Sequence, residues 1–178
     1  RMSGIASRTA EYVKELEGTN TKVLDTRKTT PLLRFLEKRA VVLGGGVNHR
    51  YGLYDMILIK DNHVDYAGSV TNAVKNAVKY KNEKKLNIPI EVEVRNFEEL
   101  EELLHCTGVD RVMFDNFTPE DVRKAVSVVA GKLITEASGG IDLSTIRSYA
   151  LSGVNYISVG ALTHSVKSLD LSLKAKLI

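Results

Sequence analysis

The sequence contains few of the residues that mark special classes of protein. It has one cysteine, three prolines and no tryptophan in 178 residues. The single thiol, Cys106, cannot form an internal disulfide, which suits the reducing cytosol. No apolar run approaches the roughly 20 residues that a membrane-spanning helix needs. We therefore expect a cytoplasmic protein that has no membrane partner.

Charge of one sign is also scarce. Lysine and arginine number 25 against 22 aspartates and glutamates, which gives a formal net charge of +3. The basic residues are spread along the chain, and the densest run, residues 79–85, is typical of a solvated helix end. We therefore expect no nucleic-acid partner. With 43% hydrophobic residues, the composition is that of a globular protein with a sizeable core.

What the sequence does have is a regular alternation of short apolar runs with helical patterns. This alternation predicts βαβ units and a parallel sheet. The spacing of Ile5, Tyr12 and Leu16 predicts a first helix within residues 1–20, and the sheet lies within residues 21–178. The seven predicted strands are residues 22–24, 41–43, 56–59, 90–94, 111–114, 133–135 and 156–159.

Several helices are predicted from local signals. Pro31, after Thr30, stands where a first helical position is expected, and Leu33 and Leu36 would share one face of that helix. A last helix is predicted from about residue 165 to the end of the chain. Side chains that can cap a helix precede three further helical patterns: Ser69, Asn96 and Thr118.

The choice between an open sheet and a barrel depends on where the polar chemistry lies. An open doubly wound sheet concentrates ligand residues at one switch point, whereas a barrel gathers them from the ends of nearly all its strands. Here side chains capable of chemistry lie at or near the carboxyl ends of all seven predicted strands. We therefore expect an α/β protein, a TIM-like α/β barrel with about seven parallel strands.

Residues 44–63 carry the densest polar chemistry of the chain. Three consecutive glycines at 44–46 would let the backbone approach a ligand closely. Cationic or potentially cationic residues fill three successive strand-end loops: Arg27, Lys28, His49, Arg50 and Lys60. Because the planar fork of arginine suits carboxylates, a di-acid or a pyrophosphate is the expected ligand.

Glu91 and Glu93 alternate with aliphatic residues, so both side chains project to one face of a strand. Three interpretations are open: the solvated face of an edge strand, an internal ion pair, or a carboxylate near the barrel mouth that meets a metal or a cation. Asp115, which ends the next strand, would lie close by. Two carboxylates with water and substrate phosphates form the sphere that Mg²⁺ prefers, so Glu93 and Asp115 are candidate ligands.

The last two strand-to-helix loops are rich in small residues. Ser138, Gly139 and Gly140 form one, and Gly160 opens the other, which reaches His164. Barrels often bind phosphate at this place, on backbone N–H groups and the N-terminus of a short helix. A single Gly-Gly pair is common in tight turns, but two such loops in succession favour a phosphate site.

Two other histidines have weaker claims to a function. The role of His63 is ambiguous, and His105, beside Cys106 at a helix end, is expected to cap that helix. No spacing of histidines and cysteines indicates a zinc site.

Together the motifs resemble those of one known family, quinolinate phosphoribosyltransferase, also called nicotinate-nucleotide pyrophosphorylase (carboxylating). The resemblance runs through essentially the whole chain, in order. Its motifs are residues 25–31 (Asp-Thr-Arg-Lys-Thr-Thr-Pro), 44–50 (Gly-Gly-Gly-Val-Asn-His-Arg), 58–63 (Leu-Ile-Lys-Asp-Asn-His), 91–94 (Glu-Val-Glu-Val), 138–141 (Ser-Gly-Gly-Ile) and 159–165 (Val-Gly-Ala-Leu-Thr-His-Ser).

The resemblance implies a reaction of de novo NAD biosynthesis. Quinolinate and phosphoribosyl pyrophosphate would give nicotinate mononucleotide, pyrophosphate and CO₂, with Mg²⁺ as cofactor. It also implies an α/β barrel with fewer than eight strands, in which residues 21–178 form the catalytic domain. The implied contacts with the carboxylates of quinolinate come from Arg27, His49, Arg50 and Lys60, with Lys28 nearby for substrate or pyrophosphate.

The same resemblance assigns the sugar-phosphate half of the site. Glu93 and Asp115 would hold the ribose and the Mg²⁺–pyrophosphate end, and with Lys60 they are the implied catalytic residues. The 5′-phosphate would lie against the small residues of the last two loops and close to one histidine: Ser138, Gly139, Gly140, Gly160 and His164.

The chain departs from the family pattern in two ways. Leu32 stands where glycine is expected after Thr-Thr-Pro. Family members also carry an N-terminal α/β domain before the helix that here begins at Arg1, and it contributes a basic residue to the pocket of a partner subunit. We expect residues 1–20 to be the linker from that domain, and a homodimer or higher homo-oligomer to complete the site.

Two alternative functions stay open. The basic cluster suits any planar di-anion, so the chain could be a paralogous phosphoribosyltransferase for another pyridine or aromatic acid. The other alternative is a non-catalytic barrel that binds a phosphate ligand. That alternative predicts the loss of Lys60, Glu93 or Asp115, and all three are present.

If nothing replaces the N-terminal domain, the 178 residues alone should bind phosphoribosyl pyrophosphate better than they turn over quinolinate. The reason is that the pocket would lack the basic residue supplied by the partner subunit. Calorimetry with each substrate, together with a turnover assay, measures this. Normal quinolinate turnover by the isolated 178 residues would contradict the expectation.

Overall fold

The computed structural model describes residues 1–176 and shows one parallel sheet with helices between its strands. The strands are β1 (Lys22–Leu24), β2 (Ile57–Ile59), β3 (Ile90–Val94), β4 (Arg111–Asp115), β5 (Ile134–Ser138) and β6 (Tyr156–Ser158). The helices are α1 (Met2–Glu15), α2 (Arg34–Leu43), α3 (Asp61–Ala67), α4 (Val70–Glu83), α5 (Phe97–Leu104), α6 (Pro119–Val129), α7 (Ile146–Ala150) and α8 (Ala161–His164). None of these helices is both long and apolar enough to cross a membrane.

The six strands lie in the order β1-β6-β5-β4-β3-β2, and every neighbouring pair is parallel. The predicted α/β class with a parallel sheet is therefore confirmed, with six strands where about seven are predicted. The division into a linker at 1–20 and a barrel at 21–178 stays a prediction.

Strand alternation gives the sheet one polar and one apolar face. On β3 and β4 the register pairs Glu91 with Arg111 and Glu93 with Met113, so these four side chains share the inner face. The alternate residues, such as Val92, are buried in the apolar core beneath the helices. The prediction that both glutamates project to the interior of the sheet is confirmed, since Glu91 is fully buried and Glu93 is 5% exposed.

The sheet curves until both of its edges reach the same cavity. Leu58 of β2 and Thr26, which follows β1 closely, line a cavity to which β4, β5 and β6 also contribute. Within residues 1–176 no ladder joins β2 to β1. Instead, Val47 forms a single parallel bridge to Leu24 at the β1 edge. The fold is therefore barrel-like, and Val47 occupies the place of a seventh strand.

The second predicted strand is wrong, because residues 41–43 are the last turn of α2. The buried positions of this helix are Glu37, Lys38, Ala40 and Val41, and residues 37 and 41 lie one turn apart on the same face. An apolar run this short cannot by itself be assigned to a strand or a helix. The extended segment comes later, after the three glycines, at Val47.

The predicted start and buried face of α2 are also wrong. Pro31 lies in a turn, and Leu33 is the N-cap of a helix that begins at Arg34. Leu36 is 43% exposed, because the face of α2 that meets the core is formed by other residues, among them the charged Glu37 and Lys38. Leu32 has a φ of 65°, a left-handed conformation that favours glycine, which explains why glycine is expected at this position.

The last predicted helix, from about residue 165 to the end of the chain, is wrong for residues 165–176. Only α8, with four residues, is helical near the C-terminus, and residues 165–176 have no regular structure. Leu171 is 81% exposed and Leu173 fully exposed, so this segment lacks the apolar packing that short helices need. Residues 177 and 178, which the prediction also includes, lie outside the described residues.

The predicted helix caps at three other sites are confirmed. In each case the side chain accepts a hydrogen bond from the backbone N–H three residues later, which satisfies one free donor of the first turn. The capped helices are α4 at Ser69, α5 at Asn96 and α6 at Thr118.

Two of the three glycines, Gly44 and Gly46, serve close packing against α1. A Cβ at Gly44 would lie 2.7 Å from Cβ of Thr9, and a Cβ at Gly46 would lie 2.8 Å from Cγ2 of the same threonine. Gly44 has a φ of −81°, so it is the lack of space that requires glycine there. The close approach expected to a ligand is therefore an approach to a neighbouring helix.

Replacing Gly44 by alanine should destabilise the protein. The added methyl group overlaps α1 in a packed region, and overpacking of this kind typically costs about 1–3 kcal/mol. The free energy of unfolding from urea denaturation measures the effect. Glu101→Ala on the exposed face of α5 is the control and should stay within about 0.5 kcal/mol of the parent. A Gly44→Ala variant as stable as this control would contradict the packing argument.

Candidate active site

A cavity of about 380 Å³ opens at the carboxyl ends of the strands. It is lined by half of the substrate-binding residues predicted from the sequence: Arg27, Lys28, His49, Arg50, Lys60 and Ser138. Five further lining residues are absent from that prediction: Thr26, Leu58, Met113, Glu136 and Ser158. The cavity thus has several cations in its wall and two apolar side chains among them.

Arg27 and Arg50 are half-buried cations of this wall. Nε of Arg27 is buried and has no hydrogen-bond partner within residues 1–176. Arg50 donates from Nη1 to the carbonyl oxygen of Met56 at 3.2 Å. Burial and the charge of Arg27 lower the pKa of Arg50. The two positive charges repel each other in this half-buried place. An anion bound in the cavity would relieve that repulsion, so the arrangement suits an anionic ligand.

Lys60 forms the cationic edge of the cavity nearest β3. Its ammonium group pairs with the carboxylate of Glu93 on that strand. The Glu93 side chain is 6% exposed and that of Lys60 is 46% exposed, so the lysine covers a buried carboxylate and still reaches solvent. For Glu93, the structure therefore selects the interpretation in which the carboxylate meets a cation.

Asp115 and Ser138 are register partners at the ends of β4 and β5. Asn116 donates from Nδ2 to the Asp115 carboxylate at 2.8 Å. Gly139 has a φ of +104°, and a side chain there would overlap Asn116, whereas Gly140 faces open space. The register thus brings the predicted ribose carboxylate beside the first predicted phosphate loop.

Gly160 lies where the last strand-end loop meets the first. A Cβ at Gly160 would stand 3.1 Å from the ring of His164 and 3.5 Å from Cδ of Lys28. The hydroxyl of Thr163 donates to the carbonyl oxygen of Lys28 at 2.8 Å, which ties the two loops together. Lys28 is therefore next to the second predicted phosphate loop.

The ring of His49 contacts a group of buried charges at the floor of the cavity. Its Nε2 lies 2.9 Å from Oε2 of Glu91 and 3.4 Å from Oε2 of Glu136. Arg111 completes the group, with Nη2 at 2.7 Å from Glu136 and Nε at 3.2 Å from Glu91. Any contact between His49 and a ligand carboxylate would share the ring with these two glutamates.

Two influences on the protonation of His49 conflict. Burial lowers its pKa, but the adjacent carboxylates of Glu136 and Glu91 outweigh burial and raise the pKa to about 9. The backbone N–H of Arg50, however, donates to Nδ1 at 2.7 Å, which requires a lone pair on that atom. A proton on Nδ1 would face this N–H, so in the neutral ring the proton lies on Nε2, between the glutamates.

The two floor glutamates differ in how readily they ionise. Burial and the charge of Glu136 raise the pKa of Glu91. Burial also opposes ionisation of Glu136, but the His49 ring and the charge of Arg111 beside it outweigh burial, so the pKa of Glu136 is lowered. Glu136 is thus the stronger acid of the pair, and Glu91 is the carboxyl that takes up a proton more readily.

The floor group has the composition of a metal site. His49, Glu91 and Glu136 offer ligand atoms within 4.8 Å of one another. A proton on Nε2 and the pairing of Glu136 with Arg111 both oppose a metal ion there. Glu93 and Asp115 lie on neighbouring strands and offer carboxylates of the type that Mg²⁺ takes together with phosphate and water, and in this structure Glu93 is paired with Lys60.

Two histidines outside the cavity, His63 and His105, cap helices. Nδ1 of His63 accepts a hydrogen bond from the backbone N–H of Lys60 at 2.8 Å, at the start of α3. His105 is the C-cap of α5, and its Nδ1 lies 2.8 Å from the carbonyl oxygen of Glu101. The predicted cap at His105 is therefore confirmed, and His63 has a structural role.

Most of the cavity-lining residues that were not predicted from the sequence lie two positions before a predicted site residue. Side chains two apart on a strand share a face, so the deeper residue forms the layer below the predicted one. Strand alternation could have identified this layer. The pairs are Leu58 with Lys60, Met113 with Asp115, Glu136 with Ser138, and Ser158 with Gly160.

Comparison with known proteins agrees with the geometry. The family described as quinolinate phosphoribosyl transferase, C-terminal domain, matches residues 5–174. A probable nicotinate-nucleotide pyrophosphorylase (carboxylating) of Bacillus subtilis (strain 168) is 49% identical over 177 residues, which cover 99% of this chain and 60% of that protein. Quinolinate phosphoribosyltransferase (decarboxylating) 2, mitochondrial, of Nicotiana glauca is 46% identical over 188 residues, covering 98% of this chain and 53% of that protein.

The fold is also similar to solved structures. The crystal structure of NadC from Streptococcus pyogenes has a TM-score of 0.90 and 46% identity, and the match covers 98% of this chain and 60% of that one. The chain thus spans between half and two thirds of the length of these relatives.

Glutamine should be tolerated at position 91 and not at position 136. Glu91→Gln replaces a carboxyl whose charge is disfavoured by burial and by Glu136 with a neutral group of the same shape, so the free energy of unfolding should change by no more than about 1 kcal/mol. Glu136→Gln leaves Arg111 without its buried carboxylate and should cost about 3–5 kcal/mol. Urea denaturation at pH 7 measures both.

The pH dependence gives a second test of the same assignment. Because the folded-state pKa of Glu136 is lowered, its stabilising contribution is present above its ordinary pKa of 4.5 and is lost as the pH falls through the lowered value. The gap in stability between Glu136→Gln and the parent should therefore shrink in acid. Equal destabilisation by the two glutamines at pH 7 would contradict the assignment.

Proposed function

Since the chain belongs to the family of the quinolinate phosphoribosyltransferase C-terminal domain, we propose that the protein containing it transfers a phosphoribosyl group to quinolinate and releases CO₂. The donor is phosphoribosyl pyrophosphate, and the products are nicotinate mononucleotide, pyrophosphate and CO₂, a step of NAD biosynthesis. The chain spans only part of the length of its relatives, so the activity is proposed for the protein that contains these residues.

The observation that carries the proposal is the cationic wall of the cavity. Arg27, Arg50 and Lys60 meet there from three different loops. Leu58 and Met113 add apolar surface to the same cavity. A flat aromatic ring with two carboxylates fits this combination, because arginine binds carboxylates in a bidentate way and the ring can lie against the apolar side chains.

The sugar-phosphate half uses the later strands. Glu93 and Asp115 lie at or near the carboxyl ends of the neighbouring strands β3 and β4. In the proposed complex both carboxylates face the ribose. Backbone N–H groups of the two glycine-containing loops hold the 5′-phosphate, as anions are commonly held at such turns. The residues proposed for this phosphate are Ser138, Gly139, Gly140, Gly160 and His164.

The first step forms the bond between nitrogen and ribose. The pyridine nitrogen attacks C1 of the ribose, and the bond from C1 to the pyrophosphate oxygen breaks with its electron pair leaving on pyrophosphate. Glu93 and Asp115 stabilise the positive charge that develops on the sugar. Lys28, beside Gly160, is placed to stabilise the leaving group. Because the nitrogen is itself the nucleophile, no general base is assigned.

The second step removes the carboxylate next to the nitrogen. The bond between C2 and this carboxylate breaks, CO₂ leaves, and the electron pair stays on C2 until a proton from solvent replaces it. The positively charged ring nitrogen accepts that electron density, so the protein contributes mainly by positioning. Arg27 and Arg50 provide it by holding the substrate through its carboxylates.

Mg²⁺ is the proposed cofactor. Glu93 and Asp115 would hold it together with oxygens of pyrophosphate. When bound, the ion neutralises charge on the leaving group.

We further propose a homodimer or higher homo-oligomer, in which a partner subunit completes the cavity, and a cytoplasmic location. Leu32, Phe35 and Leu53 are exposed, as expected of a surface that another domain or subunit covers. The relatives include proteins named as mitochondrial and as chloroplastic, so the compartment varies among them.

An assay of CO₂ release from quinolinate, with and without phosphoribosyl pyrophosphate, tests the proposal on the full-length protein. Release should require phosphoribosyl pyrophosphate. Lys60→Ala should lower kcat/KM by about a hundredfold, because it removes a charged donor from the substrate. Lys124→Ala, at an exposed position of α6, is the matched control and should leave the rate unchanged.

The alternatives give different results in the same assay. A paralogue for another acid would release no CO₂ from quinolinate but would form a nucleotide from another pyridine carboxylate, such as nicotinate. A non-catalytic barrel would bind phosphoribosyl pyrophosphate and consume none of it. Unchanged rate and affinity in the Lys60→Ala variant would count against the assigned site.

A further inference from the structure

Asp25 and Lys38 form a buried ion pair that none of the proposed steps uses. The Asp25 side chain is 0% exposed and that of Lys38 is 1% exposed, and Nζ lies 2.5 Å from Oδ1. Asp25 directly follows β1, and Lys38 lies in the middle of α2. Neither residue lines the cavity. Any effect of this pair on a ligand in the cavity must therefore act through the residues that the pair contacts.

The pair holds the backbone of His49 at both ends of the residue. The N–H of His49 donates to Oδ1 of Asp25 at 2.9 Å. The ammonium group of Lys38 donates to the carbonyl oxygen of His49 at 3.0 Å. Both peptide groups of one residue are thus bonded to the same ion pair, and the segment that carries the His49 and Arg50 side chains has little freedom to rotate.

Asn48 extends this arrangement by one residue. Its amide nitrogen, in the orientation that satisfies its neighbours, donates to Oδ2 of Asp25 at 2.6 Å and to the carbonyl oxygen of Lys38 at 2.9 Å. Val47, the residue before it, is bridged to β1. Residues 47–49 are therefore fixed by consecutive contacts although they belong to no helix or strand ladder.

A buried ion pair is a poor way to gain stability alone. Removing two charges from water costs several kcal/mol, and an apolar pair of similar volume is often as stable. Burial raises the pKa of Asp25 and lowers that of Lys38, which shows that the surroundings disfavour both charges. What the ion pair supplies, and an apolar pair would not, is directed hydrogen bonds to the His49 backbone.

We propose that Asp25 and Lys38 are positioning residues, which fix the 48–50 segment so that His49 rests on the acidic floor and Arg50 faces the cavity. That the positioned ligand is a planar di-acid rests on the proposed function. The positioning itself concerns this chain alone, through the contacts of Arg50 N–H with the His49 ring and of that ring with Glu91.

The first test is the double variant Asp25→Asn/Lys38→Met in the full-length protein. It removes both buried charges with little change of shape and removes the donor to the His49 carbonyl. The thermal midpoint should stay close to that of the parent. The Kd for quinolinate should rise about tenfold or more, as expected for the loss of charge-assisted hydrogen bonds, and the Kd for phosphoribosyl pyrophosphate should stay within about twofold.

The matched control makes the same two changes at an exposed pair of α6, Asp121→Asn/Lys124→Met, whose charged atoms are 3.2 Å apart. Both Kd values should then equal those of the parent. A folded Asp25→Asn/Lys38→Met variant that binds quinolinate as the parent does would overturn the proposal. Equal weakening of both substrates would also overturn it, since that result indicates a general loss of structure.

A second measurement needs neither a variant nor a ligand. Hydrogen–deuterium exchange followed by NMR reports how firmly the N–H of His49 is held. Exchange as slow as in the core strands β3 and β4 is expected, because this N–H is bonded to a buried carboxylate. Exchange as fast as in an exposed loop would overturn the positioning role, even if the double variant fails to fold.

The two measurements separate this inference from the proposed function. If the parent does not bind quinolinate, the proposed function fails, and the exchange rate of the His49 N–H still decides whether the ion pair holds the segment. If the parent binds quinolinate and the N–H exchanges fast, the function stands and the positioning role fails.

Discussion

Carboxylates buried on the inner face of a parallel sheet must be neutralised, and the rest of this structure depends on how that is done. At the floor of the cavity, Glu91 and Glu136 share Arg111. Nearer the opening, Glu93 pairs with Lys60. The floor pairings join residues of neighbouring strands, and Lys60 directly follows β2, the neighbour of β3, so these pairings require the strands to be in their observed register. Charge balance therefore helps to specify the alignment of the sheet as well as the shape of the cavity.

The same balance leaves a cationic wall. Within residues 1–176, no carboxylate pairs with Arg27, Lys28 or Arg50, although the cavity brings all three together. Because Arg111 and His49 contact the carboxylates of the floor, an incoming anion meets the cations of the wall and is repelled less by the floor. The same pattern of ion pairs thus neutralises the acidic floor and leaves the cations of the wall available to a ligand. The buried pair of Asp25 and Lys38 stabilises the loop in which the two regions meet.

Much of the fold could be predicted from the sequence, because strand alternation and side-chain caps are local signals. The same signals placed Glu93 and Lys60 correctly at strand ends. The errors share a physical cause. The buried face of α2 includes Lys38, a charge that becomes favourable only when Asp25 comes near from a distant part of the chain. Such a face cannot be recognised by counting apolar residues, so residues 41–43 were assigned to a strand. Glu136 is absent from the predicted site for the same reason, because its partners His49 and Arg111 come from other parts of the chain.

The central claim is that the cationic wall receives a planar di-acid while the sugar-phosphate half lies at the later strand ends. A crystal structure of the full-length protein with quinolinate bound tests it most directly. The account predicts that the quinolinate carboxylates contact Arg27 and Arg50, with the ring against Leu58 and Met113. Quinolinate bound on the loop at 138–140, with both arginines free of it, would contradict the account.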